Sequence, residues 1–364
     1  MDKIYCALGF MSGTSGDGVD SSIIKSDGKD QIFIENNEYN TFPSYLADEI
    51  HSIRDKIQES KDLNKFNDRI MNLEKKLTEF HAEIANKIIK KNNVDIIGFH
   101  GQTIFHSSHE KISKQIGDGK KLSKLTKRPV VYDFRQNDIK NGGEGAPLAP
   151  IYHTAMVKNL KKNNEIKLPI TILNIGGISN ITIIDKDYKI TSMDIGPGNC
   201  LIDKWIRLNS NKKFDENGNL AKSGKIDNFL LNQSLDIYYN QSVSRKKSLD
   251  INDFDISFAR GLSLENGAAT ITEFTVEILS KKIFNNNIYV CGGGRKNNFM
   301  VERLQKKSKN KIILIDEMGI NGDFIESQAF AYLGIRSYLN LPISFPTTTG
   351  CKEPSTGGVI IKNF

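Results

Sequence analysis

Cysteine is scarce and dispersed. The four residues Cys6, Cys200, Cys291 and Cys351 form no CxxC pair and no Cys/His ligand spacing, which argues against a zinc site or a disulfide framework and fits a reducing compartment. Long apolar runs are also missing. The opening Lys3–Gly9 stretch is too short for a signal peptide, and nothing approaches the ~18 residues that span a bilayer. These absences predict a cytoplasmic protein that is neither exported nor membrane-spanning. There is no one-signed charge block either. The net charge of +7 is spread over Lys/Asn-rich stretches such as Lys158–Lys167 and Lys281–Asn287, read as solvated loops, so no nucleic-acid partner is expected.

What is present is a globular composition, 38% hydrophobic and 26% charged, in 364 residues, enough for two domains with separate cores. Ile4–Leu8 and Val19–Ile24 read as a buried hairpin around a Gly/Ser-rich turn. Residues 44–91 carry apolar positions at helical spacing and predict two long amphipathic helices. Val94–His100 and Pro129–Tyr132 read as short strands. From Leu168 the chain repeats its opening pattern: an apolar strand to Ile175, Gly176-Gly177, then Asn180–Ile184. A helix over Ala268–Lys282, a strand Ile288–Cys291 ending in Gly292-Gly293-Gly294, and a helix near Phe324–Leu339 complete an α/β alternation. The expected boundary gives an N-terminal lobe over 1–165 and a C-terminal lobe over 166–364, whose last segment has the option of packing back on the first.

The segment Gly13-Thr14-Ser15-Gly16-Asp17-Gly18-Val19-Asp20 is crowded with small residues whose backbone N–H groups allow close approach of an anion. No Gly-Lys-Ser/Thr follows, so it is not a Walker A loop, and the next element is a strand, so it is not a dinucleotide fingerprint. A plain tight turn is the bland alternative. A second loop, Asp194-Ile195-Gly196-Pro197-Gly198-Asn199, sets a carboxylate at a strand end beside two glycines, the arrangement expected of a general base next to a phosphate cradle.

The collinear strings Gly13–Gly18, His100-Gly101-Gln102-Thr103, Asp133-Phe134-Arg135, Gly142–Leu148, Asn174–Asn180, Asp194–Asn199, Lys247–Asp250 and Gly267–Thr270 resemble the anhydro-N-acetylmuramic acid kinase family. The family belongs to the actin, hexokinase and Hsp70-like ATPases. Two departures stand out: Ile195 where Thr is expected, and Arg245-Lys246 where the family has prolines.

The resemblance implies a two-lobed, ribonuclease H-like α/β fold with ATP in the interdomain cleft. Residues 13–20, Asn174, Gly176, Gly177, Gly196, Gly198, Asn199, Gly292, Gly293 and Gly294 would hold the nucleotide, and Mg²⁺ would sit on its phosphates with Asp17 as an outer-shell anchor and no dedicated protein metal site. It further implies 1,6-anhydro-N-acetylmuramic acid as substrate, Asp194 as base, and His100, Gln102, Thr103, Arg135 and Glu326 as sugar contacts. Each has a bland alternative: an ion pair to Asp133 or Asp138 for Arg135, a core position for His100, a solvated helix face for Glu326. A homodimer is expected from the family alone. A related sugar or carboxylate kinase that opens no ring is the competing activity.

Overall fold

The computed structural model describes residues 3–13, 15–107, 110–162, 166–241, 249, 251–283 and 287–362. The chain divides into two compact units, residues 1–164 together with 324–364, and residues 165–323.

In the first unit, β1 (Tyr5–Ser12) is the central strand, and its apolar run is buried. It pairs antiparallel with β2 (Gly18–Ser26), which pairs antiparallel with β3 (Ile32–Thr41). On its other side β1 runs parallel to β4 (Ile96–Ser107), from which β5 (Ile112–Ile116) folds back, and β4 runs parallel to β6 (Val130–Tyr132). The terminal strand Val359–Ile361 closes this edge. The helix Asn67–Ile89 buries Leu73, Leu77, Ile84 and Ile88, an i, i+4, i+11, i+15 stripe on one face, in the core that also holds Leu8 and Phe99.

The helix Ile325–Tyr338 lies so close to this sheet that only glycine fits beneath it. Gly9 and Gly98 are register partners on β1 and β4. A Cβ on Gly9 would fall 2.1 Å from the Ser327 carbonyl oxygen, and one on Gly98 2.1 Å from that of Phe330.

The second unit repeats the plan. β7 (Ile170–Ile175), β8 (Ile178–Ile184) and β9 (Ile190–Pro197) form an antiparallel meander, and β10 (Asn287–Cys291) and β11 (Ile312–Leu314) add in parallel beside β7. Setting aside the β5 hairpin and the terminal strand of the first unit, in both units three antiparallel strands are followed by two that run parallel to the first, in spatial order β3-β2-β1-β4-β6 and β9-β8-β7-β10-β11. This is the ribonuclease H-like core, present twice. The helix Leu264–Ser280 packs on β9 at Gly196, where a Cβ would meet Ile278 at 2.6 Å.

One expectation is corrected. Lys158–Lys162 do not form a loop, because the helix Pro150–Lys162 continues through them. Its buried face is supplied by Tyr152, Ala155, Met156 and Leu160, while Lys161 and Lys162 favour the C-terminal turn through the helix dipole.

Candidate active site

In the first unit the predicted contacts converge at the ends of β1 and β4. Gln102 is fully buried, faces Ser12 across the parallel register, and donates from Nε2 to the Gly13 carbonyl at 3.1 Å. The loop turns at Gly16, where φ is +67° and the amide donates to the Gly13 carbonyl. Asp17 is half-buried beside His51, whose Nε2 is 4.0 Å away. Val19 has its side chain in the core, so only its backbone is left to act. Asp20 stands on β2 opposite Met11. Thr14 lies outside the described residues, as do Arg245, Lys246, Lys247, Ser248 and Asp250.

His100 and Arg135 form one unit. Arg135 has only donors, so its bonds from Nε at 3.2 Å and Nη2 at 3.0 Å make His100 Nε2 the acceptor. The imidazole proton is therefore on Nδ1, which donates to the Gly101 carbonyl at 2.9 Å. Burial, reinforced by the Arg135 charge, holds the His100 pKa well below its usual value and the ring neutral. Phe330 packs on the ring at 4.4 Å between centroids.

Arg135 also donates from Nη1 to the Gly145 carbonyl at 2.7 Å. Burial lowers its pKa to about 10 while the Glu326 and Asp138 charges oppose the shift, so it stays a cation at neutral pH. No ion pair joins Arg135 to Asp138, whose oxygens accept instead from the Gly145 amide and the Thr349 hydroxyl. Glu326 is half-buried at the start of its helix and faces Arg135 electrostatically. Thr103 Oγ1 accepts from Gln115 Nε2 at 3.1 Å. The arrangement is a half-buried cation with a buried, neutral imidazole, suited to orienting an anionic, hydroxyl-rich ligand.

In the second unit the glycine loops brace one another. The Gly198 amide donates to the Gly177 carbonyl and the Asn199 amide to that of Gly176, both at 2.8 Å. A Cβ on Gly198 would strike the Gly176 oxygen at 2.2 Å, and one on Gly292, where φ is +78°, would lie 2.3 Å from Asn174 Oδ1. Gly294 is equally confined by Ile175. Asn199 then begins the helix Cys200–Asn209, whose amide end favours an anion. Asp194, half-buried on β9, accepts from the Leu249 amide through Oδ2 at 2.9 Å. Ile195, at the register shift between β8 and β9, is buried in the core. The departure from Thr at this position is therefore a core substitution.

Some groups in these sites carried no sequence signal. Lys282 lies within electrostatic reach of Asp194, and His106, whose pKa falls to about 4 through burial and then the Arg135 charge, stands near the guanidinium. Both looked like ordinary polar residues. Arg295 follows the glycine triplet in a Lys/Asn-rich context yet is 5% exposed.

Several features fit a bound nucleotide and sugar. A Cβ on Gly13 would meet nothing within 4 Å, and one on Gly293 only Asn199 Nδ2 at 3.9 Å, so neither glycine is demanded by packing. Ser12 Oγ and Gln102 Oε1 are buried with no protein partner, donors and acceptors a ligand or water can satisfy. Among the described residues no group of three or more His, Cys, Asp or Glu is placed to hold a metal.

A doubled ribonuclease H-like core with glycine hairpin loops defines the class of the actin and hexokinase-like ATPases. Within it, the family model described as anhydro-N-acetylmuramic acid kinase matches residues 5–363, and the chain belongs to that family. Proteins named anhydro-N-acetylmuramic acid kinase are 48% identical in Pelagibacter ubique and 35% identical in Brucella canis, each over 100% of both chains. Another from Rhizobium etli is 36% identical over 99% of both. Among solved structures, the activator of the 2-hydroxyisocaproyl-CoA dehydratase from Clostridium difficile with bound ADPNP aligns over 92% of this chain and 96% of its own, at 11% identity and a TM-score of 0.40. No helix among the described residues is long and apolar enough to cross a membrane.

Proposed function

We propose that this protein uses ATP and water to open 1,6-anhydro-N-acetylmuramic acid and phosphorylate its O6, giving N-acetylmuramic acid 6-phosphate and ADP. The reaction belongs to amino-sugar recycling from peptidoglycan in the cytoplasm. The observation that carries the reading is Asp194. It is a half-buried carboxylate held through one oxygen by the Leu249 amide, on the strand that runs directly into the Gly196–Asn199 loop.

Asp194 takes a proton from water as the water oxygen bonds to the anomeric carbon and the bond from that carbon to O6 breaks. The freed O6 then bonds to the γ-phosphorus and ADP leaves. Arg135, held by His100 and Gly145, orients the lactyl carboxylate, and Gln102, Thr103 and Glu326 bind the sugar's polar groups. The 13–20, 176–177 and 196–199 loops take the phosphates, and Gly292–Gly294 the nucleoside. Bound Mg²⁺ would neutralise phosphate charge, anchored through water by Asp17. We assign a homodimer as the working state, checked by sedimentation.

The test is turnover of Mg-ATP and the anhydro sugar in ¹⁸O-labelled water, followed by mass spectrometry, beside folded Asp194→Asn. The expected product is a 6-phosphosugar with heavy oxygen at C1, absent with the variant. A phosphosugar lacking the label would favour a kinase that opens no ring, and no phosphosugar would end the substrate assignment.

A further inference from the structure

The Arg295 side chain sits where a residue just after a glycine triplet would be expected to face solvent or ligand, yet it turns inward. Its Nε and Nη2 fork onto Asp316 at 2.6 and 3.0 Å, and Nη1 donates to Asp323 Oδ1 at 2.7 Å and to the Gly292 carbonyl at 3.1 Å. The Gly292 carbonyl also accepts the Arg295 backbone amide. Asp316 Oδ1 accepts in addition from the Gly322 amide at 3.3 Å, and a Cβ at Gly322 would lie 2.5 Å from Arg295 Nε. Asp323 is further tied to Lys296 at 2.7 Å.

Two carboxylates on one buried guanidinium offset its desolvation, and the bidentate geometry fixes its plane. Gly292 needs such fixing. Its φ of +78° and its closeness to Asn174 Oδ1 put the loop in a conformation that glycine alone does not enforce.

We infer that Arg295, clasped by Asp316 and Asp323, is a positioning residue that presets the Gly292–Gly294 loop for the nucleoside end of the nucleotide. It touches no reacting atom and acts through the Gly292 carbonyl. Preorganisation of this kind removes an ordering cost from nucleotide binding and leaves sugar binding alone. The inference rests on the assignment of Gly292–Gly294 to the nucleotide.

The experiment measures ADP binding by calorimetry, the KM values for ATP and sugar, and the melting midpoint, for wild type, Arg295→Met, Arg295→Lys and Asp323→Asn. Arg295→Met is expected to weaken ADP binding and raise the ATP KM by about tenfold, the size of effect that outer-shell partners have on groups they hold, with the sugar KM within about twofold. Arg295→Lys recovers part of the loss, because an ammonium can meet one carboxylate but not the whole fork. Unchanged ADP affinity with a lower melting midpoint would overturn the inference and leave a purely structural ion cluster. An equal rise in both KM values would overturn it too. Should Arg295→Met not fold, Asp323→Asn keeps the test open: a raised ADP dissociation constant supports the clasp, and an unchanged one refutes it. Wild type that binds ADP without phosphorylating the sugar would sink the substrate assignment and leave the clasp standing, whereas wild type that binds no ADP would sink the clasp.

Discussion

Replacing Gly98 with alanine tests how tightly the helix Ile325–Tyr338 is seated on the sheet. The added Cβ would stand 2.1 Å from the Phe330 carbonyl oxygen and 2.9 Å from its carbon. Both are backbone atoms, so no rotamer change relieves the clash, and the helix must retreat by about 1 Å to restore ordinary contact. Overpacking of this sort costs ~1–3 kcal/mol, and the entropy that alanine removes from the unfolded chain returns ~0.4–1 kcal/mol. A net loss of about 1–2 kcal/mol is expected, read as a lower denaturant midpoint at unchanged m. The kinetic signature is more specific. Phe330 packs on His100, and His100 holds Arg135, so the displacement should raise the sugar KM while the ATP KM stays near wild type. A Gly98→Ala protein with wild-type midpoint and wild-type sugar KM would refute the reasoning, because it would mean that the helix is free to slide.

Gly13→Ala provides the opposite case: its Cβ has open space, so stability should be unchanged within ~0.5 kcal/mol while the ATP KM rises, seen by pairing denaturation with initial rates. Arg135→Lys should raise the sugar KM by about tenfold or more with little change for ATP, since an ammonium cannot give the two-nitrogen contact to His100 and also reach Gly145. Stability should fall on acidification. Burial lowers His81, His106 and His153 to about 4, and His100 well below its usual value, so below pH ~6.5 the unfolded chain binds more protons than the folded one. Each group then contributes a slope of up to ~1.4 kcal/mol per pH unit between its unfolded and folded pKa. Denaturant midpoints that are flat from pH 7.5 to 5 would refute this.

The two openings, Ile4–Ile24 and Ile170–Ile184, were legible because a buried strand, a glycine turn and a second strand are all local patterns. The edge strand β3 was not. Glu35, Asn36 and Glu38 are polar and exposed, and the apolar Phe33 and Ile34 are exposed as well, so no alternation marks it. The helices Cys200–Asn209 and Asn228–Asn240 also escaped notice, the second because polar Asn, Gln and Ser interrupt its apolar stripe. The helix near Phe324–Leu339 could be read, but its place beneath Gly9 and Gly98 could not, because that contact joins residues more than two hundred positions apart. Among candidate site residues, the family resemblance singled out His100, Gln102 and Arg135, and only the structure shows that the imidazole accepts from the guanidinium. Arg295 gave no signal, since a buried arginine and a solvated one look alike until their carboxylates are located.

The discontinuity of the first unit bears on how the chain is made. Residues 165–323 leave the ribosome as an unbroken stretch holding all five strands of their sheet, whereas residues 1–164 emerge first and wait for the helix that covers Gly9 and Gly98. Until residues 325–338 are synthesised, one face of β1 and β4 has no cover of its own. The unit that begins to emerge earlier is thus the last to finish folding, and a premature stop falling directly after Asp323 would release a chain whose later unit is complete and whose earlier unit is not.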